Sequence, residues 1–232
     1  AEVSTTCTAH SVPAWTVSKT SNPLPGAWVH DGGNVYYSID VRKGGTAPFE
    51  LAGISIVDDM SEVMSVGRMD EDAPTYGGEY RFAVRTFDST GAVVRDFGAG
   101  PDRAWDDRSF EVSDLHPVHT GSSDPADPSW RWTLQLPPFT LAESEVRAQI
   151  MYVVQVGGAA DPADPRRFQL EGDAVRYAPP RMTTFANTVA GDSPLLQPNE
   201  CRAGSEPDPG CTVAHTIADH YFHIQKNSTS RD

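Results

Sequence analysis

Apolar and polar residues alternate one by one along several stretches of this chain, and each such stretch predicts a half-buried β-strand. Over residues 14–20, Trp15, Val17 and Lys19 share one face, while Thr16, Ser18 and Thr20 share the other; Asn22-Pro23 ends the strand. Over 34–42, Val35, Tyr37, Ile39 and Val41 lie opposite Tyr36, Ser38, Asp40 and Arg42. After a glycine turn, the 52–58 strand brings Ile54 and Ile56 up to Asp58-Asp59-Met60-Ser61. Over 130–136, Trp130, Trp132, Leu134 and Leu136 alternate with Arg131, Thr133 and Gln135, and a proline pair is expected to end the strand. The 146–156 strand places Val146, Ala148, Ile150, Tyr152, Val154 and Val156 on one face, and 183–190 does the same for Phe185, Asn187 and Val189. Between these runs, 67–129 carries EYRFAVRTFD, a DSTG hairpin turn and AVVRDF, and is otherwise rich in turns; it reads as a central insertion decorating the main unit. Helix-period stripes are hard to find, and Gly and Pro number 19 each. The expected fold is all-β, an immunoglobulin-like antiparallel β-sandwich with a central insertion.

Three polar residues interrupt the apolar faces of three strands. Lys19 continues the face of Trp15 and Val17, Asp58 that of Ile54 and Ile56, and Asn187 sits between Phe185 and Val189. Period-two geometry points all three inward. A lysine is almost never buried without a partner. Burial lowers an amine's pKa and raises a carboxyl's, so a neutral amine can face a neutral acid. The amine is then a nucleophile, and the protonated acid can polarise the asparagine carbonyl. Attack at that carbonyl expels ammonia and leaves a Lys19–Asn187 amide, a single self-modification without turnover. Asp58 is the assisting acid, with Asp59 the fallback if a bulge before Met60 reverses which of them points inward. Each residue also has a plain structural reading. Lys19 would be a water-facing edge-strand lysine, Asp58 a turn cap, and Asn187 a partner for backbone groups at a strand irregularity.

Charge narrows the partners. The net charge of −14 disfavours nucleic acid and anionic membranes. No stretch approaches a transmembrane span, and no signal peptide or sortase-type anchoring motif is visible; any anchor is expected to lie outside the chain. No acidic cluster has the ligand spacing of a calcium loop. His215, His220 and His223 cluster beside Asp219, and His116 and His119 flank a proline, but neither group has a zinc-site pattern. No metal, no cofactor and no substrate-turnover enzyme is expected, since no nucleophile elbow, phosphate loop or paired catalytic glutamate appears.

The chain also reads as starting twice. Cys7, His10, Trp15, Val17 and Lys19 correspond in order to Cys211, His215, Phe222, Ile224 and Lys226, and two of the chain's three lysines fall in this one context. Arrays of stacked domains show such periodicity. The implied organisation is a linker over 1–10, a repeat domain over 11–196, a disulfide-bracketed linker over 197–215 and the start of the next repeat over 216–232. Cys201 and Cys211 bracket RAGSEPDPG and pair locally, leaving Cys7 free in this fragment and implying an oxidising compartment.

The order WTVSKTSNP, VYYSIDV, GISIVDDMSEV, WRWTLQLPPFTLAESEV and FANTVAGD, then a cysteine linker and a restart, resembles the conserved-repeat domains of Gram-positive and actinobacterial surface proteins. These are immunoglobulin-like relatives of the collagen-adhesin and pilin domains with internal Lys–Asn isopeptide bonds. The resemblance covers about 11–66 and 130–192. VRKGGTAP departs from it by lacking an Asn-Thr-Gly, and the insertion is unusually long. The resemblance implies Lys19 as amine, Asn187 as amide and Asp58 as assisting acid. It implies a monomeric stalk repeat on the bacterial surface, with neighbouring repeats of the same polypeptide as partners and a host or glycan ligand at a distal tip. The alternative is a glycan- or host-protein-binding module that uses the 67–129 insertion with Trp105, Trp130 and Trp132, although core packing explains the last two better.

Overall fold

A computed structural model describes residues 13–30, 32–45, 48–69, 82–96, 115, 117–122, 124, 127–157, 169–171, 174–176, 182–206 and 208–218. Its elements in chain order are β1 (Ala14–Asn22), β2 (Trp28–His30), β3 (Asn34–Gly44), β4 (Leu51–Asp59), α1 (Ser61–Val66), β5 (Gly67–Arg68), β6 (Phe82–Asp88) and β7 (Val93–Asp96). They continue with β8 (Val118–Thr120), β9 (Arg131–Leu141), β10 (Glu145–Val156), β11 (Gln169–Glu171), β12 (Ala174–Arg176), β13 (Met182–Asp192) and β14 (Thr212–Ala218). No described helix is long and apolar enough to cross a membrane.

The fold is an all-β sandwich of two sheets. One runs β1-β3-β10-β6-β7, with β5 also pairing β10; the other runs β2-β14-β13-β4-β9-β8. Neighbours pair antiparallel except β2 with β14, which are parallel. The inward faces are those that the alternation predicts, except at the start of β10, where Glu145 is buried and Val146 only half-buried beside a register shift. Trp15, Val17, Ile39, Val41, Ile150 and Val154 line one side of the core, and Ile54, Ile56, Leu134, Leu136, Phe185 and Val189 the other. Burying these aliphatic and aromatic faces against each other is what drives the two sheets together.

Three expectations are corrected. The proline pair does not end β9, which continues to Leu141. The inward set shifts from Leu134 and Leu136 to Phe139 and Leu141, and the register against β4 shifts between Ile54 and Ile56. This bulge accommodates Pro137-Pro138 inside the strand, where prolines are otherwise excluded. The 67–129 stretch does more than decorate. β6 pairs along β10 with Phe82 and Val84 in the core, β7 closes the DSTG hairpin, and β8 extends the opposite sheet.

The third correction is the boundary at 215/216. β14 runs straight across it, pairs with β13 from Met182↔Ala218 to Thr188↔Thr212, and buries Val213, His215 and Ile217. Residues 212–218 therefore belong to this sandwich rather than to a linker and a following repeat. Cys7, His10, Phe222, Ile224 and Lys226, the other members of the repeat correspondence, lie outside the described residues, as do Trp105, His116, Asp219, His220 and His223.

Candidate crosslinking site

β1 is an edge strand, yet Lys19 does not face water. It follows Trp15 and Val17 inward and is 3% exposed. Across the sandwich, β4 and β13 lie side by side with Asp58 opposite Val189, and both Asp58 and Asn187 are fully buried. Strand alternation thus brings one lysine from the first sheet against an acid and an amide from the second. Lys19 Nζ donates to Asn187 Oδ1 at 2.6 Å and also to Asp58 Oδ1, with which it forms a buried ion pair.

A fourth residue completes the cluster. Tyr152 of β10 accepts from Lys19 Nζ at 2.9 Å and from Asn187 Nδ2 at 2.8 Å, and donates to Asp58 Oδ2. The amide is thereby oriented, with its oxygen toward the amine and its nitrogen toward the phenol. Tyr37 stacks on Tyr152 at 5.2 Å between ring centroids, Phe82 packs on Tyr152 at 5.6 Å, and Lys19 Nζ lies 5.1 Å from the centre of the Tyr37 ring. The polar cluster therefore stands inside an aromatic box, cut off from water.

Burial sets the electrostatics. Desolvation lowers the Lys19 amine to about 8 against the opposing pull of Asp58. It raises the Asp58 carboxyl against the opposing pull of Lys19, and it holds the Tyr152 phenol well above its ordinary range, with the Asp58 charge adding to the rise. Moving one proton from Nζ to Asp58 turns the ion pair into a neutral amine beside a neutral acid. The pair's net charge is unchanged, and the low dielectric narrows the gap between the two states. That neutral form is the one in which the amine is nucleophilic.

Asp59 does not compete for this position. It points the other way, and its carboxylate accepts the backbone N–H of Ser61 at 3.0 Å and the Ser61 hydroxyl at 2.6 Å, at the start of α1. Cys201 and Cys211 are joined by a disulfide. His215 is occupied by protein partners. Nε2 lies 3.0 Å from Ser21 Oγ, Nδ1 lies 3.2 Å from the Ala27 carbonyl oxygen, and the ring packs on Phe185. Trp130 and Trp132 cluster with His119, at 4.5 and 5.0 Å between ring centroids, and Trp132 packs against the core.

Compared with known protein families, the chain matches none, and no curated protein matches it. Solved structures similar to it include the C-terminal domain of the Streptococcus agalactiae AgI/II polypeptide BspA, with TM-score 0.36, 12% identity, and coverage of 90% of this chain and 50% of that one. The C-terminal domain of the Streptococcus pyogenes antigen I/II-family protein AspA gives TM-score 0.35 and 11% identity over 88% of this chain and 46% of that one. The Corynebacterium diphtheriae major pilin SpaA, whose structure points to a modular pilus assembly and stabilizing isopeptide bonds in that protein, gives TM-score 0.33 and 13% identity over 88% of this chain and 37% of that one. The chain spans half or less of each of these. At such scores the likenesses carry no inference about this chain's chemistry, which is read from its own residues.

Proposed function

We propose that this is a structural stalk domain of an extracellular bacterial surface protein, stabilised by an autocatalytic isopeptide bond between Lys19 and Asn187 with Asp58 as the assisting acid. The observation that carries the reading is the buried contact of amine and amide, 2.6 Å from Nζ to Oδ1, beside a carboxyl that burial drives toward its neutral form. In the reaction, Nζ bonds to the side-chain carbonyl carbon of Asn187, the bond from that carbon to Nδ2 breaks, and one ammonia departs.

The mechanical role comes from where the bond falls. Among the described residues β1 is the first strand and β13 the last but one, and they lie in opposite sheets. A bond between them stitches the two sheets and diverts force applied at the chain ends away from the strands in between. The disulfide supports an oxidising, extracellular setting. The net charge of −14 suits a monomeric spacer; on this reading its partners are neighbouring domains of the same polypeptide, and a host or glycan ligand would sit elsewhere on the full-length protein. Digestion under denaturing, reducing conditions tests the reading. A branched peptide joining the Lys19 and Asn187 segments is the expected product; recovery of both segments only as separate linear peptides would refute it.

A further inference from the structure

We propose that Tyr152 is a catalytic residue of this self-crosslinking, carrying a proton from Asp58 to the amide nitrogen that leaves. The proposal rests on the crosslink reading above and adds to it the route by which the leaving group is protonated.

A phenol offers one donor hydrogen and two acceptor lone pairs. Tyr152 uses all three, and each goes to a different reacting group. It donates to Asp58 Oδ2, accepts from Lys19 Nζ at 2.9 Å and accepts from Asn187 Nδ2 at 2.8 Å. Its ring is held by Tyr37 and Phe82, so the hydroxyl cannot swing away. An amide nitrogen does not leave as an anion; it needs a proton as its bond to carbon breaks. Asp58 stands against Nζ through Oδ1, but the hydrogen-bond partner of Nδ2 is Tyr152. The connection from acid to leaving nitrogen therefore runs through the phenol.

The step balances from the neutral pair. Nζ attacks the Asn187 carbonyl carbon and gives one proton to Asp58 Oδ1. Once Asp58 is neutral, the proton on Oδ2 donates to the Tyr152 oxygen, and the hydroxyl hydrogen, which faces Oδ2 in the ion pair, rotates about the C–O bond toward Nδ2, whose lone pair is freed as the carbon becomes tetrahedral. Asp58 Oδ2 then passes its proton to the Tyr152 oxygen, while the Tyr152 hydroxyl hydrogen passes to Nδ2. The carbon–nitrogen bond breaks and ammonia leaves. Asp58 and Tyr152 end in the protonation states in which they began, and nothing is oxidised or reduced. Burial keeps the phenol protonated at neutral pH, as a relay requires.

The test uses newly translated full-length chain, quenched at intervals and weighed intact. Wild type should lose one ammonia. Tyr152→Phe, which keeps the ring stacking, should lose it about a hundredfold more slowly, the scale of general acid–base assistance. Tyr152→Phe crosslinking at the wild-type rate would overturn the role of Tyr152 while leaving the crosslink reading intact. A wild-type chain at full mass would instead sink the crosslink reading, and this proposal with it. If Tyr152→Phe does not give the wild-type β circular dichroism, 3-fluorotyrosine placed at position 152 is the second variant, nearly isosteric but with a more acidic phenol. A relay predicts a severalfold change in rate with that residue, and an unchanged rate would overturn the proposal.

Discussion

At the scale of single residues, the proposed crosslink requires Lys19, Asp58 and Asn187 to be buried together, as they are. Lys19→Ala and Asp58→Ala should both leave chains at the full mass expected for each variant, read by intact mass spectrometry. The first lacks the nucleophile, and the second lacks the acid that polarises the carbonyl and receives the amine's proton. Asp59→Ala should keep the ammonia deficit, because Asp59 points away and only accepts from Ser61; its loss should cost about 1 kcal/mol of stability, the net scale of a hydrogen bond. A full-mass Asp59→Ala chain would show that the wrong carboxyl has been assigned. The inward placement of these residues is legible in the sequence because each interrupts an apolar face with period two. The role proposed for Tyr152 is not. On the face Val146 to Val156 a tyrosine reads as one more core aromatic, and alternation carries no information about where a hydroxyl finds its partners.

At the scale of elements, the approach of β13 to β1 and the docking of β14 are the sensitive points. A Cβ on Gly191 would stand 2.6 Å from Val17 Cγ2 and 3.1 Å from the Trp15 ring. Gly191→Ala should therefore push β13 off β1, costing about 1–3 kcal/mol by overpacking and slowing the ammonia loss. Unchanged melting and crosslinking in that variant would contradict this packing. Across β14, desolvation by burial lowers the His215 pKa below 6.5, with the bond to the Ala27 carbonyl opposing it. The unfolded chain then takes up a proton on this group before the folded one does, so its contribution to stability falls as pH drops below about 6.5. Melting curves at pH 7.5 and 5.5 should show this loss in wild type and a smaller one in His215→Phe. An equal loss in both would remove His215 as its source.

Of the six main strands expected, five are legible to within two residues at each end, because period-two alternation marks an inward face; β2, β8 and β14 are not read from the sequence. What escapes has local causes. β9 runs through Pro137-Pro138 because paired bulges absorb them, and α1 is a helix too short to show a period. β6 reads as decoration because nothing in EYRFAVRTFD says which strand it will pair with.

At the scale of the whole molecule, the proposed bond closes a loop across a separation of 168 residues. Closing a loop of that size restricts the unfolded chain by about 5 kcal/mol on a chain-entropy estimate. Wild type should therefore melt well above Asn187→Ala, and equal melting temperatures would contradict a covalent tie. Pulled from its ends, wild type should keep the segment between Lys19 and Asn187 locked. Lys19→Ala should release roughly 600 Å more contour length, at about 3.5 Å per residue. Force curves of equal length would rule out the load-bearing role. The boundary at 215/216 is invisible to the sequence for a reason of this same scale. Val213, His215 and Ile217 alternate like any strand, and only pairing with β13 shows which domain owns them.

Whether Lys19 and Asn187 are joined is decided by the intact mass of the reduced, denatured wild-type chain. The expected mass lies one ammonia below that of the sequence. A folded chain at the full sequence mass, with Lys19 open to amine-reactive labelling after denaturation, would contradict the crosslink.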